Sequence, residues 1–167
     1  MNALRICAAG LFFGLSPVAH AQDFKKDDLV IGHPWTRATP EGATVGAGYL
    51  KITNNGKTAD RFTGGTFDGA ENVEIHEMKM TGDKMTMRRV PDGITLKPGE
   101  TVEFAPNSYH LMFRGLKKPI VQGPDIKGTL TFEKAGSVDV DYKVEAPGAT
   151  TSSGSMHNMH DMHDMQK

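Results

Sequence analysis

Between about residues 28 and 145 the chain is punctuated throughout by turn-forming clusters. They are Asn54-Asn55-Gly56, Gly82-Asp83, Pro91-Asp92-Gly93, Lys97-Pro98-Gly99 and Pro106-Asn107. The runs between them alternate apolar with polar residues, and none sustains a helical period flanked by capping signals. Strands are expected over 28–31, 45–54, 60–68, 72–80, 84–90, 100–105, 109–116, 126–134 and 137–145. Many short strands at this spacing indicate an all-β fold, a sandwich or Greek-key barrel. Roughly 120 ordered residues are enough to bury one core.

Both ends differ from this middle. Arg5, the apolar run Ile6 to Leu15 and Ala19-His20-Ala21 have the order of a secretory signal, so residues 1–21 are expected to be removed and the mature chain to start at Gln22. The apolar run is too short to span a bilayer. The compartment expected is a Gram-negative periplasm. The only cysteine, Cys7, lies inside the signal, which leaves a mature chain with no disulfide, no redox thiol and no thiolate ligand. Losing Arg5 and no acid moves the net charge from −1 to −2, with 18 basic against 20 acidic residues. That balance gives no reason to expect nucleic acid or an anionic membrane as partner. Residues 22–145 are then the folded domain. Residues 146–155, rich in Pro, Gly, Ser and Thr, form a linker, and 156–167 form a tail unable to build a core and expected to be disordered when empty.

The placement of histidine and methionine is the next constraint. In 73–80, Val73 and Ile75 share one face of a strand, while His76, Met78 and Met80 share the other. Gly82-Asp83 suits a two-residue hairpin turn with Gly at its first central position. In that register Thr81 faces Lys84, Met80 faces Met85, Met78 faces Met87 and Arg89 lies opposite His76. A second strand repeats the pattern: Tyr109, Leu111 and Phe113 suit a core, and His110, Met112 and Arg114 face away from it. Thioether sulfur is soft and neutral and favours Cu(I); imidazole accepts either oxidation state of copper. Against this stands the ordinary use of methionine as gap filler. The combination of two His-x-Met pairs, each on a face opposite the apolar residues, in a chain that also ends in a Met/His repeat, favours a copper site on this face. Trp35 is expected to anchor the core, and His33 to be a surface residue outside the site.

At these positions the sequence resembles the PCuAC family of periplasmic copper chaperones. The family pattern is His, ten residues, Met, about twenty-one residues, then His-x-Met. Here ten residues lie between His76 and Met87 and twenty-two between Met87 and His110, and His110-Leu111-Met112 completes the motif, so the resemblance implies His76, Met87, His110 and Met112 as the copper ligands. The extra residue is expected in a loop around 91–99. Pro34 to Pro40, Gly48-Tyr49-Leu50 with Ile52-Thr53-Asn54, and Val73 to Met78 are also similar to the family. The resemblance implies a cupredoxin-like barrel with a shallow Cu(I) site, and delivery to the dicopper centre in subunit II of cytochrome c oxidase, with a Sco-like thioredoxin-fold partner. It leaves Met78, Met80 and Met85 outside the ligand set, as a soft rim. The chain is expected to act as a monomer and not as an enzyme.

The tail repeats Met156-His157, Met159-His160, Met162-His163 and ends with Met165 near Asp161 and Asp164. Its imidazoles and carboxylates suit Cu(II), and its thioethers suit Cu(I), so it is expected to be a second copper site. Two other functions fit parts of the sequence. One is copper buffering or resistance without a dedicated recipient. The other is a copper monooxygenase with an N-terminal histidine brace at His20, which would need cleavage after Ala19 and Pro17 at the −3 position.

Overall fold

A computed structural model describes residues 23–153. The signal region 1–21 and the tail 156–167 lie outside the described residues. The chain forms eleven strands: β1 (Asp23–Lys26), β2 (Leu29–Arg37), β3 (Val45–Asn54), β4 (Asp60–Phe67), β5 (Asn72–Thr81), β6 (Lys84–Arg89), β7 (Ile94–Leu96), β8 (Thr101–Phe104), β9 (Tyr109–Arg114), β10 (Ile126–Phe132) and β11 (Gly136–Glu145). The fold is all-β and cupredoxin-like, as expected. No helix among the described residues is long and apolar enough to cross a membrane.

The strands follow the order β6-β5-β9-β8-β3-β2-β11-β10-β4-β7, with β1 on β2 and an added β9–β3 pairing. Strand β11 joins the two halves, pairing in parallel with β2 and antiparallel with β10. Alternation places Leu50, Ile52, Ile75, Leu111 and Phe113 of one half against Phe62, Phe67, Leu130 and Tyr142 of the other. Phe67 stacks on Phe113 at 3.8 Å between ring centroids, and Phe62 meets Phe104 edge-on at 5.5 Å. The opposite face of the β5–β9–β3 region is left free of this core.

Two strands and one bulge depart from the sequence expectations. Strand β7 lies inside the expected 91–99 loop. Its alternation is only three residues long: Ile94 and Leu96 are buried, Thr95 is exposed, and the segment pairs with β4. Strand β1 has a single apolar residue, Phe24, and exists through pairing with β2. Strand β2 runs to Arg37, well past the expected end at residue 31, because a bulge carries it through Pro34. The register shifts between Gly32 and Trp35, where His33 takes a φ of 51°, unusual for a residue with a side chain.

The bulge inverts the strand's alternation, so Trp35 is buried apart from the main core. It pairs with Tyr49, their centroids 4.5 Å apart, on the face opposite Leu50. His33 is half-buried there, with Nδ1 3.7 Å from Asp23 Oδ1. Residues 150–152 share a cleft with Trp35. The start of the expected linker is held there by hydrogen bonds. Arg37 Nε donates to the Ala149 carbonyl at 2.6 Å, and Glu145 Oε1 accepts from the Ser153 amide and hydroxyl, both at 2.8 Å.

Candidate metal centre

The β5–β6 hairpin has the register that the Gly82-Asp83 turn implied. His76 pairs with Arg89, Met78 with Met87, Met80 with Met85 and Thr81 with Lys84. Of the two central turn residues, Gly82 alone has a positive φ, 61°, as a turn with Gly in first place requires. On its other side β5 pairs with β9, which sets His76 directly across from His110 and Glu74 across from Met112. Three strands therefore present one continuous outer face. Its rungs, in order, are Glu74–Met112, then Arg89–His76–His110, then Met78–Met87, then Met80–Met85.

The histidines are the best-defined part of the site. Their ring centroids are 5.8 Å apart, and the residues are only 8% and 7% exposed. Each has one ring nitrogen engaged. Nε2 of His76 is 2.9 Å from Glu74 Oε2, and a carboxylate can only accept, so this nitrogen carries the proton. Nδ1 of His76 is buried with no hydrogen-bond partner. In His110 the roles are reversed: Nδ1 donates to the Ser108 carbonyl at 3.4 Å, leaving Nε2 as the bare nitrogen. Burial lowers the His110 pKa and the nearby His76 adds to this, outweighing the Ser108 hydrogen bond. A neutral imidazole with a free lone pair is the form a metal needs.

Glu74 was not singled out from the sequence. Its carboxylate takes the His76 proton donor and also faces Arg114 at 3.5 Å and Arg89 at 3.8 Å. The His76 hydrogen bond, with the charges of Arg89 and Arg114, lowers its pKa despite burial. A carboxylate behind a histidine fixes the ring's tautomer and orientation. The signal available in the sequence was the spacing: Glu74 is two residues before His76 and so shares its face.

The two methionines are placed differently from the histidines. Met112 and Met87 flank the histidine rung on opposite sides, Met112 on β9 and Met87 on the edge strand β6. With strands about 4.8 Å apart and residues about 3.4 Å apart, their backbones are about 16 Å from one another. The structure thus brings His76 and His110 together and leaves Met87 and Met112 to reach them from either end. Met112 is half-buried and Met87 is 51% exposed. Among the described residues no three His, Cys, Asp or Glu side chains converge to hold a metal. Beside this pair, the same face offers soft donors in the thioethers of Met112 and Met87. Two neutral imidazoles with thioethers in reach fit soft copper better than zinc or a hard cation. The tail residues of the second expected site, His157, His160, His163, Met156, Met159, Met162 and Met165, lie outside the described residues.

Residues 29–144 match the LpqE-like family of lipoproteins. A protein of Leifsonia xyli subsp. xyli, classed by its name with lipoproteins, is 27% identical over 143 residues, covering 86% of this chain and 85% of that protein. Among solved structures, the copper-bound PCuAC domain from PmoF2 is 31% identical with a TM-score of 0.66, covering 75% of this chain and 99% of that domain. The apo PCuAC domain from PmoF1 is 27% identical with a TM-score of 0.64, covering 75% and 100%. The Cu(I) form of DR1885 from Deinococcus radiodurans, 22% identical with a TM-score of 0.57, covers 76% of this chain and 83% of its own, and shares the fold.

Proposed function

The chain belongs to the PCuAC family and to the LpqE-like family within which it matches, and on that premise we propose that it is an exported copper carrier. It holds Cu(I) as cargo between His76 and His110, with Met87 and Met112 completing the coordination, and passes it to the dicopper centre in subunit II of cytochrome c oxidase in the periplasm, where a Sco-like thioredoxin-fold protein is the second candidate partner. The copper in the PmoF2 relative supports the ligand, and the lipoprotein relatives support export. One observation carries the reading: a buried cross-strand histidine pair whose free nitrogens are set by Glu74 and by the Ser108 carbonyl.

The site holds copper without thiolate. Neutral ligands bind a monovalent soft ion firmly but leave it exchangeable by an acceptor with thiolates. The half-exposed Met87 at the sheet edge is the ligand an acceptor meets first. The tail adds capacity for Cu(II) through His157, His160 and His163.

Anaerobic Cu(I) titration against a chromophoric chelator tests the site. His76→Ala and His110→Ala should each weaken the folded site at least tenfold, and Met87→Ala and Met112→Ala should weaken Cu(I) far more than Cu(II), as expected for lost soft donors. Equal losses for both ions would remove the thioethers from the site. Delivery separates from buffering in a deletion strain. Oxidase failing under copper limitation supports delivery, and copper sensitivity with normal oxidase supports buffering.

A further inference from the structure

The β5–β6 hairpin carries more sulfur than the histidine pair can use. Beyond the level of Met78, whose amide donates to the Ser108 carbonyl at 3.0 Å, strand β9 has ended and the hairpin continues as two strands alone. Its two faces have opposite chemistry. Glu77, Lys79, Thr86 and Arg88 occupy one, closed by the Arg88–Glu77 ion pair at 2.6 Å. Met78, Met80, Met85 and Met87 occupy the other, as two adjacent cross-strand rungs.

These methionines do not fill a core. Met80 is 56% exposed, Met85 50% and Met87 51%, and they are three of the five exposed large apolar side chains among the described residues. An apolar cluster kept in solvent on a projecting element calls for a ligand or a partner. Directly opposed residues have β-carbons about 4.5–5.5 Å apart. Two sulfurs on one ion, each about 2.3 Å from it, stand at most about 4.6 Å apart. The three-rotor methionine side chain closes that difference easily. No carboxylate belongs to this stretch of the face, so nothing there attracts a hard divalent cation. The donor set is soft and neutral throughout, which selects a soft monovalent ion.

We propose that Met78, Met80 and Met85 form a second Cu(I) site, one rung from the histidines, so that Met87 stands between two stations. It is weaker than the imidazole-containing site because it lacks a nitrogen donor, and it exchanges copper with that site by ligand substitution at constant oxidation state. Its role as a loading or release station rests on the copper-carrier reading. Its capacity for Cu(I) does not.

The test is carbon-13 NMR of the full chain with labelled methionine methyls, titrated anaerobically with Cu(I) supplied as its acetonitrile complex. Methyls are assigned by single Met→Leu substitutions. The first equivalent should move Met87 and Met112, and a later one should move Met78, Met80 and Met85 together. Met80→Leu/Met85→Leu, changed at exposed positions, should bind one Cu(I) fewer while His76→Ala retains the Met80 and Met85 response. Unmoved Met80 and Met85 methyls through three equivalents overturn the proposal and leave a protein-docking surface as the use of this face. Movement of these methyls only with the first equivalent also overturns it, since they would then belong to the histidine site. If Met87 and Met112 stay still while Met80 and Met85 respond, the histidine-site reading fails and the hairpin site stands.

Discussion

Glu74 ties the site's chemistry to its geometry through a single hydrogen bond to His76. Replacing it with alanine frees the imidazole to rotate and to change tautomer, and leaves Arg89 and Arg114 facing the site without their shared anion. Loss of such a partner typically costs about 10–100-fold in metal affinity. Glu74→Ala should therefore weaken Cu(I) binding by about that much, and Glu74→Gln, which can still accept the proton donor, should recover part of it. Nitrogen-15 NMR of the apo chain should find the proton on Nε2 in His76 and on Nδ1 in His110. The same tautomer in both rings would contradict the assignment. That His76 and Met87 share one face of the hairpin, and His110 and Met112 one face of β9, was legible from the sequence because strand alternation is local. Glu74 was not: a carboxylate two residues from a histidine looks like any surface charge until β9 brings Arg114 across to it.

At the level of elements, the hairpin register was readable because a two-residue turn fixes every later pair, and β5 and β9 kept the expected faces. What escaped was set by tertiary contact. β7 is too short to signal itself between two Pro-Gly turns, and the His33 bulge cannot be seen in an alternating pattern that it interrupts. Trp35 was expected to anchor the core; it is buried, but the bulge sets it outside the main core, against Tyr49. Asp60 shows how one side chain holds such irregular parts together. At the start of β4 it accepts the Arg61 amide at 2.7 Å and, across the sheet, the Lys134 and Ala135 amides at 2.9 and 3.0 Å. Burial would raise its pKa, but the three amides and the Lys134 charge lower it on balance. A carboxyl with a depressed folded pKa stabilises the native state above its unfolded value of about 3.9, and that stability is lost as pH falls through the folded pKa. Asp60→Ala should cost about 1–3 kcal/mol by leaving amides unpaired. Urea denaturation at pH 7 and at pH 2.5 should show that cost shrinking at the lower pH. A cost independent of pH would assign it to packing.

For the whole molecule, the face that carries His76 and His110 and the segment 150–153 lie on one side of the sheet. Tyr49 falls one residue past the Gly48–Leu111 rung, at the level of His110, and pairs with Trp35. Trp35 is thus two strands, about 10 Å, from His110. Residues 150–152 reach the cleft beside Trp35, and Ser152 and Ser153 hydrogen-bond to Glu145. Only Gly154 and Ser155 separate this anchor from Met156, a short tether for the copper-supplying role proposed for the Met/His repeat, and a short tether raises the local copper concentration. The anchor also decides where the tail can be removed cleanly. Truncation after Ser155 should leave the folded Cu(I) site at full affinity and abolish most Cu(II) capacity, because it takes His157, His160 and His163 and keeps the Ser152 and Ser153 hydrogen bonds to Glu145 in place. Truncation after Glu145 should lose the same Cu(II) capacity and, in addition, about 1–3 kcal/mol of stability, since the Glu145 carboxylate and the Arg37 guanidinium lose their partners. Thermal denaturation of both forms, with Cu(I) and Cu(II) titrations alongside, separates the two effects. Equal stability would mean that residues 146–155 act as a plain linker, and unchanged Cu(II) stoichiometry after either cut would remove the tail from copper binding altogether.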